Sequence, residues 1–214
     1  MDDVRRSRNA YSASADRYLA LVGSTLSDQI ETAADLELLA RFVGIAKAAG
    51  GRVLDAGCGT GRVARLLADH GLEAVGVDVA EGMVEIARRE HPDLRFAVGE
   101  LAQLPFASTR FIATVYWYSI ITTPPALLAT VFAELVRILG ENGIALVAFQ
   151  SGDGSAIERP NAFGTDVDLT LFRHDVQFVA ASLEQSGLHL VDVIEREPEG
   201  AHEYTTQAFI TARS

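Results

Sequence analysis

Asp55, Gly57, Gly59 and Gly61 alternate through the stretch DAGCGTG, directly after the short apolar run RVLDA. Glycine carries no Cβ and accepts positive φ, so a turn this bare lets a ligand come within contact distance of backbone amides. Two nucleotide readings fit it poorly. A dinucleotide-binding GxGxxG needs its third glycine at position 62, which holds Arg62, and a Walker loop ends in Gly-Lys-Ser or Gly-Lys-Thr. Asp55, at the end of the run, would repel a pyrophosphate and attract a cation. A positively charged cofactor is the better match.

The elements that must hold this loop can be read from periodicity. RVLDA predicts a buried strand, Val63, Leu66 and Leu67 mark a helix face closed by Gly71, and AVGVDV predicts a second strand. Residues 81–90 read as a helix, LRFAVG and FIATVYW as third and fourth strands, and GIALVAFQ as a fifth. Before that fifth strand, Pro124 and Pro125 open a helix with the stripe Leu127, Leu128, Val131, Phe132, Leu135, Ile138, Leu139, stopped by Gly140. Crossovers of this kind demand parallel strands. Upstream, residues 27–49 predict a helix, and residues 1–20 a lid in which Tyr11 and Tyr18 share a face if helical. Residues 151–173 are polar and aperiodic, longer than the usual connection of roughly 2–6 residues, and read as a functional or mobile loop. Asp175 caps a helix ended by Gly187, and two strands follow near 188–195 and 204–212. The expected organisation is an N-terminal helical lid over residues 1–50 and a single α/β domain over residues 51–214.

DAGCGTG resembles the first motif of the class I S-adenosylmethionine (SAM) dependent methyltransferases, which reads DxGxGxG. The resemblance runs from Arg52 to Ser214 and implies a Rossmann-like, doubly wound, seven-stranded sheet, mostly parallel, with an antiparallel last strand. It implies SAM as cofactor, S-adenosylhomocysteine as product, and cofactor contacts from Asp55, Ala56, Gly57, Gly59 and Gly61. Asp78, ending the second strand, takes the place of the acid that accepts from the ribose hydroxyls, a task that suits a carboxylate's lone pairs. In VGELAQLPF, Glu100 with Gly99 before it and Leu101 beside it resembles the stretch that meets the adenine, with Val79 and Met83 placed to cover the ring or simply to pack. Tyr11 and Tyr18 resemble N-terminal tyrosines that close over the cofactor, or else anchor the terminus to the domain.

The acceptor side is less defined. In YWYSIITT, Tyr116, Trp117 and Tyr118 can line a pocket or lean on a sulfonium, with at least one of them turned into the sheet. Thr122 stands where small-molecule members of the resembled family carry a histidine, and threonine is no base near neutral pH. That leaves His174, His202 and Tyr118 as the catalytic candidates.

Composition bounds the partners. The 214 residues carry a formal net charge of −11, which disfavours nucleic acid and anionic membrane surfaces. The single cysteine, Cys58, permits no internal disulfide or multi-thiolate metal site and suits the cytoplasm. No metal site is expected, and the chain is expected to be a monomer or homodimer. The expected function is methyl transfer to a small-molecule oxygen, nitrogen or carbon. The alternatives are a SAM-binding protein of the same fold without transferase activity and an NAD(P)-dependent oxidoreductase.

Overall fold

The computed structural model describes residues 2–199 and 203–214. The apolar runs form β1 (Arg52–Ala56), β2 (Glu73–Asp78), β3 (Arg95–Val98), β4 (Phe111–Trp117) and β5 (Leu139–Gln150), all parallel. A separate antiparallel hairpin follows, β6 (Ala156–Arg159) and β7 (Leu169–Phe172). β8 (His189–Arg196) and β9 (Gln207–Arg213) then complete a seven-stranded sheet in the order β3-β2-β1-β4-β5-β9-β8. β9 runs antiparallel to both its neighbours, so the predicted fold is borne out.

Side-chain alternation assigns the two faces. On β1, Val53 packs with α2 (Ala33–Ala49) and α3 (Arg62–Asp69), while Leu54 and Ala56 pack with α5 (Leu128–Ile138) and α6 (Val176–Gln185). In α5, Leu128, Val131, Phe132, Leu135 and Ile138 are each no more than 1% exposed. Burying one such side chain contributes about 1.5–3 kcal/mol. α4 (Glu81–Glu90) packs beside α3 and also carries α1 (Asp2–Val22), the predicted lid, on its outer side through Met83 and Ile86.

The structure departs from regular strand–helix alternation or from the sequence reading in four places. The helix expected from residue 27 begins at Ala33, because the Thr32 hydroxyl accepts from the Asp35 N–H (3.2 Å) and the Asp35 carboxylate accepts from the Thr32 N–H (3.0 Å), closing a capping box. Gly140 is no helix stop but lies within β5, which starts directly at Leu139. No helix joins β3 to β4. Residues 99–110 cover the sheet there, with Leu104 buried. Residues 151–173 are not a structureless loop but hold the β6–β7 hairpin, whose Leu169 and Phe172 are buried while β6 stays mostly exposed.

Candidate functional site

Strand order reverses between β1 and β4, and in open α/β sheets the crevice beyond the carboxyl ends of the strands at such a point takes ligands. A cavity of about 270 Å³ lies there, bounded by the glycine loop, the end of β2, the turn after β3, the end of β4 and the inner face of α1.

Each loop glycine is bare for a different reason. At Gly57 (φ +75°) a Cβ would fall 2.2 Å from the Ser119 Cβ, so Gly57 makes room for the chain leaving β4. At Gly61 (φ +85°), which begins α3, it would meet His91 and Phe96, so Gly61 serves packing. At Gly59 (φ +52°) the nearest protein atom lies 3.9 Å away, on Tyr18, and the residue opens into the cavity. Four of the loop's amides are committed inside the protein, with Gly61 donating to the Cys58 carbonyl at 2.8 Å. Gly57 and Cys58 donate to the Val77 carbonyl at 2.7 and 2.9 Å, and Gly59 donates to the Asp78 carboxylate at 2.9 Å. At Gly57 and Gly59 the loop offers a ligand space rather than free donors.

Asp78 lies at the cavity with Oδ1 accepting from the Ala80 N–H (2.8 Å) and Oδ2 from Gly59. Burial raises its pKa, and these backbone donors oppose the rise. A carboxylate has about four acceptor sites, so Asp78 keeps lone pairs for hydroxyls. Asp55 lies on the α2–α3 face, 1% exposed, with Oδ2 accepting from the Ala64 N–H at 2.9 Å. Desolvation pushes its pKa up to about 7. It reaches only a recess of about 40 Å³ that shares Tyr18, Gly57, Gly59, Arg62 and Trp117 with the main cavity.

Tyr11, Tyr18, Gly57, Gly59, Asp78, Val79, Met83, Glu100, Leu101 and Tyr118 line the main cavity. Ala56, Gly61, Gly99 and Tyr116 do not. Gly99 packs on Pro105 and Val77. Tyr116 is fully buried on the α5 face, where alternation along β4 places it, two residues before the left-handed Tyr118 breaks that alternation just past the strand's end. Tyr118 has a left-handed backbone (φ +55°) with its N–H donating to the Ala148 carbonyl at 3.0 Å, which brings Trp117 and Tyr118 both to the cavity. The Tyr118 and Ser119 hydroxyls are buried without a hydrogen-bond partner among the described residues. His174 is fully buried outside the lining, with Nε2 at 2.9 Å from the Ile120 carbonyl, and burial lowers its pKa. His202 lies outside the described residues.

Arg62 was read only as a missing glycine. It lines the cavity, and its guanidinium pairs at 2.7 Å with Glu31, both groups nearly buried. Nothing in the local sequence announces this pair, which joins residues far apart in the chain. Val4 and Ser7 also line the cavity and were missed, although they precede Tyr11 at helical spacing on the same face of α1.

Residues 53–143 match the family described as a methyltransferase domain. The demethylmenaquinone methyltransferase of Beutenbergia cavernae is 36% identical over 99 residues, covering 46% of this chain and 40% of that protein. The chain thus spans about two-fifths of that relative's length. Among solved structures, the magnesium protoporphyrin IX methyltransferase of Synechocystis PCC 6803 with bound SAM superposes with a TM-score of 0.72 at 17% identity, over 100% of this chain and 97% of that one. The cyclase SpnF gives 0.74 at 17% identity, over 97% and 94%. The matched stretch carries the glycine loop and both strand-end acids. The stretch is thus similar to a methyltransferase domain, and the Synechocystis structure of the same fold holds SAM.

Proposed function

We propose that the chain is a SAM-dependent methyltransferase acting on a small molecule, with an oxygen, nitrogen or carbon as acceptor. The observation that carries this is Gly59, open to the cavity with the Asp78 carboxylate at its side in a stretch that matches a methyltransferase domain. The residues present fit the cofactor. Asp78 retains lone pairs for the ribose hydroxyls, Glu100 and Leu101 pair an acceptor with an apolar surface for the adenine, and Met83 and Val79 add apolar cover. When bound, SAM supplies a methyl group on a sulfonium, already activated for displacement.

The protein's task is then to bind, align and exclude water. Tyr11, Tyr18, Trp117 and Tyr118 give the cavity aromatic walls, which suit a cationic ligand. The lining among the described residues includes no histidine, and Thr122 lines it where the resembled family carries one. Alignment of the acceptor therefore supplies the rate, and it can provide effective molarities on the order of 10⁵ M or more. The same proposal makes the enzyme cytoplasmic, monomeric or homodimeric, without nucleic-acid or membrane partners. Its net charge of −11 supports the exclusion of nucleic acid and anionic membrane surfaces.

The test follows labelled methyl from SAM into a broad metabolite extract. Label in a small-molecule product supports transfer. Binding of S-adenosylhomocysteine with no labelled product would leave a SAM-binding protein without transferase activity, and tight NAD(P) binding in its place would favour an oxidoreductase. Asp78→Ala should weaken S-adenosylhomocysteine binding by roughly 1–3 kcal/mol, the loss for hydrogen bonds to a charged group. It should also lower the melting temperature, because the Gly59 and Ala80 amides lose their acceptor. Calorimetry below that melting temperature reads the affinity, and unchanged affinity in the folded variant would contradict the assignment of Asp78.

A further inference from the structure

Tyr11 and Tyr18 meet each other edge-on at 5.9 Å between ring centroids, and the Phe163 ring lies 5.4 Å from both. Both tyrosines line the cavity, whereas Phe163 stands behind them. Phe163 belongs to the tip of the β6–β7 hairpin, and its backbone is left-handed (φ +53°), a conformation uncommon for a bulky non-glycine residue. Asn161 (φ +50°) and Gly164 (φ +71°) are left-handed as well. This winding presents two successive carbonyls, of Phe163 and Gly164, to the Arg17 guanidinium of α1, the first at 3.2 Å. A Cβ at Gly164 would fall 2.8 Å from that guanidinium. Below the tip, Ala10 of α1 packs with Ala162 and Leu169.

An isolated two-stranded hairpin is marginally stable in water, so this one depends on what it packs against. It touches two walls of the cavity. One is α1. The other is the turn 120–122, whose Ile120 carbonyl lies 2.9 Å from Nε2 of His174, just after β7. Its strained tip lies against the lid, and the strain follows from aiming one ring and two carbonyls at α1. Strain of this kind persists where the surroundings over-determine it.

We infer that Phe163 and Arg17 are positioning residues for the ligand site: the hairpin tip clasps α1 so that Tyr11 and Tyr18 stay seated over the cavity, and release of that clasp governs how fast a bound ligand leaves. The clasp itself is a property of the fold, while its effect on S-adenosylhomocysteine rests on the function proposed above.

The experiment compares wild type with Phe163→Ala, Phe163→Leu and Arg17→Ala, using two readouts. Limited trypsin digestion without ligand reports whether α1 is held, through cleavage at its arginines. Stopped-flow fluorescence of Trp117, the chain's one tryptophan and part of the cavity wall, reports release of S-adenosylhomocysteine. Phe163→Ala and Arg17→Ala should each speed cleavage within α1 and raise the release rate at least about tenfold, and Phe163→Leu should restore most of both. Unchanged cleavage within α1 in folded Phe163→Ala overturns the clasp. Faster cleavage with an unchanged release rate overturns its role at the site. A wild type that gives no response to S-adenosylhomocysteine overturns the proposed function and that role together, while the digestion still decides the clasp.

Discussion

Gly59→Val is expected to abolish S-adenosylhomocysteine binding, raising Kd by ~100-fold or more, which is about 2.7 kcal/mol. The argument is steric. A side chain at residue 59 meets no protein atom closer than 3.9 Å, so it occupies the volume that the cavity leaves for a ligand. The left-handed backbone (φ +52°) adds strain for a β-branched residue, so Gly59→Ala serves as the milder companion, with a smaller loss of affinity in the same direction. Gly57→Ala gives the contrast. Its Cβ would overlap the Ser119 side chain at 2.2 Å, so the principal effect there is destabilisation of the fold. Calorimetry and thermal melts on the three variants separate the cases. A Gly59→Val protein that is folded and binds as tightly as wild type would show that the opening at Gly59 faces no ligand.

Asp55 carries the second large effect. Its carboxyl ionises near 3.8 when unperturbed and near 7 in the folded protein, because burial on the α3 side outweighs the hydrogen bond from Ala64 and the nearby Arg62. Between these values the folded state holds a proton that the unfolded chain has already released, so raising the pH favours unfolding. The contribution of Asp55 to stability is therefore fully present below about pH 4, declines through the window from about 4 to 7, and is flat above it. The loss across that window is on the order of 4 kcal/mol. Asp55→Asn keeps an oxygen for the Ala64 amide and has no proton to lose, so it should remove this part of the pH dependence. Urea denaturation of both proteins at pH 4.5, 6 and 7.5 reads it as a difference, which cancels the other carboxylates. Parallel stability curves for the two proteins would contradict the buried, proton-binding Asp55.

Much of this architecture was legible because it rests on periodicity. Residues 81–90 and FIATVYW were bounded in the sequence as the structure has them, since a helical stripe and an apolar run between turn residues leave little choice. The hairpin at 156–172 was not legible. Its β6 strand is polar and exposed, and its stability comes from α1, a partner distant in the chain. The start of α2 turned on a capping box at Thr32 and Asp35, a signal present in the sequence but weaker than the run of small residues around it.

At the site, the glycine loop and Asp78 were singled out through the resemblance of DAGCGTG and its neighbouring strand to a known motif, and most of the cofactor residues expected on that basis line the main cavity. Tyr116 was misplaced for a local reason. Side chains alternate along a strand, but which parity faces the core is fixed by neighbours, and Tyr118 then leaves the strand in a left-handed turn that alternation does not foresee. Arg62 with Glu31 shows the other limit, an ion pair made by tertiary folding between a loop and a helix start.

The most direct trial of the central claim is isothermal titration of the whole chain with S-adenosylhomocysteine. A saturable heat at one site per chain, lost in Gly59→Val and weakened in Asp78→Ala, is the predicted result. A flat titration at saturating ligand, from protein shown to be folded, would contradict it.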